Sequence, residues 1–262
     1  RARIGGVGQA DQRAEDLRPV SAAAPPPLLG LIVPPAHGQV PDDGPQLYAG
    51  RARFSARGLG IAAISHHGFA PVMRSIVDHA LALRDAGAQA ISLMGTSISF
   101  QHGAVFANEL RDQLRDATGL PCTTMAHAIV HAMQTLGVQR IAVASSYNDE
   151  LNQCLRDFLD AQGLVVTALR GLDMTSVDAV AQVSPQELME LGRSAYAQGE
   201  PADALLISCG GLRTLTVVPR IEAQLGCPVI ASSAAGFWDL MCTAGLDPTV
   251  TGHGRLFERP CR

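Results

Sequence analysis

The chain has 262 residues, 47% of them hydrophobic, and a formal net charge of −4. This is enough apolar material to fill one large domain or two of about 100–150 residues, and it excludes disorder as the default state. The mild, dispersed charge gives no basic stripe for nucleic acid, and no run of about 18 apolar residues is present to span a membrane.

Residues 1–27 begin at Arg1, mix charge with alanine and end in Pro25-Pro26-Pro27. Lacking an apolar stretch of signal-peptide length, they read as a disordered leader with no part in function, and the protein as cytoplasmic. Leu28 to Val33 is then a short buried strand stopped by Pro34-Pro35. Pro71 opens a helix to Leu83, with Val72, Met73, Ile76, Val77 and Ala80 on one face. Ala90 to Met94 is a strand and Ala104 to Ala117 a helix closed by Gly119. Pro121 to Met125 is a strand and Ala126 to Leu136 a helix closed by Gly137.

The rhythm recurs. Strand Arg140 to Ala144 leads to Ser145-Ser146-Tyr147, and a helix from Asn148 to Ala161 is closed by Gly163. Leu164 to Leu169 is a strand, and Ser184 caps a helix to about Ala197 with Pro185 at its first position. Strand Ala204 to Ser208, helix Leu215 to Leu225, strand Pro228 to Ala231 and helix Ala235 to Thr243 complete the pattern. Strands alternating with helices imply α/β lobes, each with a parallel sheet of the four-stranded type flanked by helices.

The halves align: Leu93-Met94-Gly95-Thr96-Ser97 matches Ile207-Ser208-Cys209-Gly210-Gly211. A pseudo-twofold duplication is the simplest account, with lobes at 28–136 and 137–250 and segment 232–262 free to pack back on the first. The matched turns would then face one another across an interlobe cleft, at the carboxyl ends of the strands where α/β folds bind ligands.

Small residues at such turns aim backbone N–H groups at an anion, and Thr96 and Ser97 add hydroxyls. Of the six cysteines (Cys122, Cys154, Cys209, Cys227, Cys242, Cys261) no two have C-x-x-C spacing, so zinc and redox readings are weak, and a reducing compartment argues against disulfides. Cys209 differs from the rest, since two glycines follow it at a strand end and would expose its sulfur. A thiol of pKa about 8.5 is mostly protonated near neutrality and can serve as an acid. Tyr147 could donate to the same anion. His127 and His131, spaced i, i+4, lack a following Glu and an evident third ligand, so a solvated helix face is expected. His66-His67 could line the cleft mouth. No G-x-G-x-x-G follows a strand, and neither a Walker lysine nor G-x-S-x-G is present.

Taken together, Val33-Pro34-Pro35, Leu93-Met94-Gly95-Thr96-Ser97, Ala144-Ser145-Ser146-Tyr147 and Ser208-Cys209-Gly210-Gly211-Leu212 resemble the motifs of the arylmalonate decarboxylases, in the aspartate/glutamate racemase superfamily. The similarity runs over roughly residues 28 to 258 and includes Gly119 to Met125 and Ala235 to Asp239. It implies a two-lobed fold without metal or organic cofactor. Racemases of the superfamily carry a cysteine on each lobe; here Gly95 occupies the first position and Cys209 alone remains, which suits one-face protonation. The resemblance further implies that Thr96, Ser97, Tyr147, Gly210 and Gly211 hold the retained carboxylate. It gives the pocket as Pro34, Pro35, Ile61, Ile64, Phe69, Gly95, Ile98, Val177 and Val180. Phe69 and Val180 stand where it implies a tyrosine and a methionine. His37, Gln101, His102 and Arg213 also depart from it, and Arg213 is expected to face solvent after the buried-looking Leu212.

The reaction implied is decarboxylation of a disubstituted aryl- or alkenylmalonate to an optically active acid through an enediolate. A racemase or cis–trans isomerase of the same superfamily would need a second acid/base where Gly95 stands, and a two-lobed carboxylate-binding protein would not need an accessible thiol. The expected partner is a small malonate-type molecule rather than nucleic acid or membrane, and a monomer suffices because the cleft is complete in one chain.

Overall fold

The computed structural model describes residues 24–61 and 73–261. The sequence readings at Ile64, His66-His67, Phe69 and the start of the helix at Pro71 lie outside the described residues, as does most of the leader.

Two four-stranded sheets of identical topology form the frame. The first contains β1 (Leu28–Val33), β2 (Arg53–Gly58), β3 (Ala90–Leu93) and β4 (Cys122–Thr124), in the order β2-β1-β3-β4. The second contains β5 (Arg140–Ser145), β6 (Val165–Gly171), β7 (Ala204–Ser208) and β8 (Val229–Ala231), in the order β6-β5-β7-β8. Every pairing is parallel. The inner strands are continuous apolar runs because helices cover both faces. Ala204, Leu205, Leu206 and Ile207 are all fully buried.

The intervening helices are α1 (Asp43–Leu47), α2 (Met73–Asp85), α3 (Thr96–Phe100), α4 (Gly103–Thr118), α5 (Met125–Leu136), α6 (Asp149–Ala161), α7 (Val177–Val180), α8 (Pro185–Gln198), α9 (Val218–Leu225) and α10 (Ser232–Thr243). A 3-10 turn, Arg255–Glu258, follows. Local chemistry sets their ends. Asn148 accepts from the Leu151 N–H, and Ser184 with Glu187 forms a capping box, each such cap contributing about 1 kcal/mol. On α4 the buried residues Ala107, Leu110, Leu114 and Thr118 recur at helical spacing.

Several elements escaped the sequence reading. Edge strand β2 carries charge at both ends and is only partly buried, so it lacks an apolar signature. Helices α1, α3 and α7 have four or five residues, too few for a helical period. Helix α10 begins at Ser232 rather than Ala235 and is buried on all sides from Ser232 to Met241.

That helix ties the molecule together, packing on α5, β3, β4 and α1 of the first half. A Cβ at Gly44 would lie 2.2 Å from the Phe237 ring, so only glycine lets α1 approach α10 this closely. The Asp239 carboxylate on α10 accepts from His131 Nδ1 at 2.6 Å and from the Thr123 hydroxyl. The chain end then straps the first half, with Tyr48 Oη donating to the Pro248 carbonyl at 3.0 Å and Arg51 reaching Thr249 and Asp247.

Two sequence expectations are corrected. Cys242 and Cys261 form a disulfide, with Cα atoms 5.5 Å apart, because the tail folds back along α10. His127 and His131 are not a solvated face. His131 binds Asp239, while the His127 ring bonds Thr124 Oγ1 at 2.8 Å and Asn108 Oδ1 at 2.9 Å. Among the described residues, no helix is long and apolar enough to cross a membrane.

Burial, with Arg111 nearby, lowers the His127 pKa to about 4. Between pH 6.5 and 4 the unfolded chain therefore holds a proton that the folded chain excludes, so stability rises with pH across that window. His127→Gln should remove about 3 kcal/mol of this acid-side loss, read by comparing urea unfolding at pH 7 and pH 4.

Candidate active site

The strand ends create the site. In the first half β1 runs into Pro34-Pro35, while β3 ends at Met94-Gly95 and turns into α3. In the second, β5 ends at Ser145 and continues to Ser146-Tyr147, and β7 ends at Ser208 and turns through Cys209-Gly210-Gly211. The two turns meet across the lobe boundary. A Cβ on Gly210 would lie 2.8 Å from Met125 Cε and 3.6 Å from the Met94 carbonyl, both in the first half. Glycine lets the turn come this close without displacing the Met125 tip.

Between the turns lies a cavity of about 260 Å³. Its walls bring together Pro34, Pro35, Ile61, Gly95, Thr96, Ser97, Ile98, Tyr147, Val177, Val180, Cys209, Gly210 and Gly211, and so every described residue that the sequence reading named for the site. Arg213 is exposed, as expected, yet it also forms part of the rim, together with His37 and Asp42.

Cys209 sits at an unusual backbone position, with φ +153°. Side chains at such positive φ cost about 1–3 kcal/mol, and the strain is held here by surrounding contacts. The Cys209 N–H donates to Ser232 Oγ at 3.3 Å, and the Leu212 N–H donates to the Cys209 carbonyl at 3.3 Å. Burial pushes the thiol pKa up. The Ser146 hydroxyl, the Gly211 N–H, the Tyr147 hydroxyl and the Leu212 N–H oppose that shift. The group is thus a protonated thiol at neutral pH, surrounded by donors that can receive its charge.

Tyr147 is fully buried, and burial, with the Cys209 sulfur second, holds its phenol well above the ordinary value. It therefore remains a donor. Its oxygen has no full hydrogen bond, and Ser208, Thr96 and Cys209 are the side chains around it. The Thr96 hydroxyl rests on Met125 Sδ at 3.0 Å, a weak acceptor readily exchanged for a stronger one. Tyr147, Ser146 and Ser208 all bury hydroxyl oxygens without partners. Tyr147 lines the cavity, and the other two lie next to it and to Cys209 in the chain. Buried polar groups are normally satisfied, so a free donor on the cavity wall suits an anion.

The sequence reading missed Ser146, Ser208, Asp43 and Ser233. Asp43 lines the cavity, and burial raises its carboxyl pKa against the opposing Ser233 hydroxyl. Ser208 ends β7 and Ser146 directly follows β5, each a hydroxyl after a buried apolar run, which is the signal that could have found them. Asp43 offered none, since Asp42-Asp43-Gly44 reads as an ordinary turn. Among the described residues no group of three His, Cys, Asp or Glu side chains could hold a metal ion.

The family model for arylmalonate decarboxylase matches residues 29–257. The chain belongs to the arylmalonate decarboxylase family. It is 46% identical over 233 residues to an arylmalonate decarboxylase from Bordetella bronchiseptica, covering 88% of this chain and 97% of that one. Among solved structures it is similar to a liganded glycine-to-cysteine, cysteine-to-serine double mutant of arylmalonate decarboxylase. There the identity is 45% and the TM-score 0.87, over 88% of this chain and 99% of the other. A maleate isomerase from Pseudomonas putida S16, at 24% identity and TM-score 0.81 over 88% of this chain and 98% of its own, shares the fold.

The strain at Cys209 has a measurable consequence. Cys209→Gly should be about 1 kcal/mol more stable than Cys209→Ala in urea unfolding, because glycine relieves the positive φ while alanine keeps it.

Proposed function

We propose that the chain decarboxylates arylmalonates to optically active monocarboxylic acids without a cofactor, with Cys209 as the single proton donor. What carries this reading is the protonated, strained thiol that shares one cavity with the Thr96–Ser97 turn and the Tyr147 phenol.

The substrate enters as a dianion. One carboxylate is held by Thr96, Ser97, Tyr147 and the N–H groups of Gly210 and Gly211. The other lies against Pro35, Ile61, Ile98, Val177 and Val180, with Pro34 at the aryl slot. An unpaired carboxylate on an apolar wall is disfavoured, and departure as neutral CO₂ removes the cost. As the C–C bond breaks, its electron pair enters the retained carboxylate and gives an enediolate, which the aryl group further delocalises. The chain's own donors meet that charge, each contributing about 3 kcal/mol to lowering the barrier. No external electron sink is needed.

Cys209 then breaks its S–H bond and delivers the proton to the planar carbon. The thiolate left behind is reprotonated from water. Gly95 presents no acid on the opposite wall, so the proton arrives from one face only and one enantiomer results. The same absence weighs against a racemase or isomerase.

CO₂ release from phenylmalonate is the direct test. Cys209→Ala should lower it by at least a hundredfold, and unchanged turnover would end the proposal. Tyr147→Phe should cost about a hundredfold in kcat. A Cβ at Gly95 would lie 2.5 Å from Ile98 Cδ1, the movable tip of a side chain. Gly95→Cys should therefore create racemisation of a chiral 2-arylpropionate, and adding Ile98→Val should speed it, as followed by chiral chromatography.

A further inference from the structure

We propose that Ser146 is a further catalytic residue, whose buried, unpartnered hydroxyl turns to the Cys209 sulfur and holds the thiolate formed when the proton leaves. The proposal rests on Cys209 as the proton donor. Its central claim, the hydroxyl-to-sulfur bond, is testable without any turnover.

The register of the second sheet brings the two residues together. Ser145 pairs with Ser208 across β5 and β7, so the next residues along, Ser146 and Cys209, leave the sheet side by side. The backbone confirms the alignment, with the Ser146 N–H donating to the Ser208 carbonyl at 3.4 Å. Ser146 is fully buried, yet its Oγ has no hydrogen-bond partner, sulfur included. Two neighbouring hydroxyls are already engaged. Ser145 Oγ donates to Asn152 Oδ1 at 2.6 Å and accepts from the Tyr147 N–H at 3.2 Å. Ser232 Oγ lies between the Cys209 N–H and the Ile207 carbonyl. An interior hydroxyl left wholly unpaired costs about 1–3 kcal/mol, and a thiolate formed at the adjacent Cys209 would give Ser146 an acceptor. Among the groups that favour the ionised thiol, the Ser146 hydroxyl acts most strongly, ahead of the Gly211 N–H and the Tyr147 phenol.

The chemistry gives the bond its use. During proton transfer the S–H bond breaks, a C–H bond forms and the electron pair stays on sulfur. A buried sulfur has little water to stabilise that charge, so fixed donors must do it. A serine hydroxyl suits the task because it donates without ionising and so does not compete for the proton. While it donates to sulfur, the thiol's own hydrogen is left free to point into the cavity.

The experiment follows Cys209 alkylation by iodoacetamide against pH in the full chain. Peptide mass spectrometry separates Cys209 from the free Cys122, Cys154 and Cys227. Ser146→Ala is near-isosteric and deletes an unsatisfied group, so it should fold; Ser146→Gly is the second variant should it not. In either, the alkylation midpoint should move up by about one pH unit, which is about a tenfold slower reaction below the midpoint. Ser146→Thr, which keeps the hydroxyl, should restore the wild-type profile. On phenylmalonate, kcat should fall about tenfold in Ser146→Ala with KM unchanged and recover in Ser146→Thr. A midpoint in Ser146→Ala equal to the wild type overturns the proposal, whatever the turnover. A shifted midpoint in a chain that releases no CO₂ from phenylmalonate supports the bond and overturns the decarboxylase reading instead.

Discussion

The close approach of the Gly210 turn to Met94 and Met125 is the constraint on which the site depends. Two lobes of identical topology do not by themselves make a catalytic centre. They do so only if the ends of β3 and β7 come near enough for one carbon atom to touch both. Glycine at position 210 permits that distance with the Met125 side chain left in place, whereas a Cβ there would push its tip aside. The same contact encloses the cavity, so the thiol is removed from water and faces the donors of the opposite lobe.

Enclosure has electrostatic results that run in one direction. Burial favours the neutral form of an acid, and the thiol, the phenol and the Asp43 carboxyl all shift toward it. The neutral thiol and phenol meet an anion without like-charge repulsion. The hydroxyls of Ser146, Tyr147 and Ser208 are unsatisfied within the protein, so the fold has given up some stability to keep them available. The positive φ of Cys209 is a second instance of the same exchange.

The approach must be maintained by something other than the site. Helix α10 leaves β8 of the second sheet and packs on α5 of the first. Asp239 fastens it through His131 and Thr123. Its first turn also supplies Ser232, the acceptor for the Cys209 N–H. One helix therefore both locks the halves together and positions the nucleus of the site. The disulfide from Cys242 to Cys261 and the bonds of Tyr48 and Arg51 to residues 247–249 add a strap over the same junction.

The sequence alone determined the alternation of apolar strands and helices, their duplication, and the matched turns at Gly95 and Cys209. These are legible because strand burial, helix periodicity and caps are local properties written in adjacent residues. Helices of four or five residues and an edge strand without an apolar run left no such trace. Tertiary structure alone decided which hydroxyls would face the thiol, that Asp43 would line the cavity, and that Cys242 would meet Cys261. Each of those depends on distances between segments far apart in the chain. The role of Ser146 illustrates the difference: in the sequence it is one of two serines, and only the pairing of β5 with β7 sets it, and not Ser145, beside the sulfur.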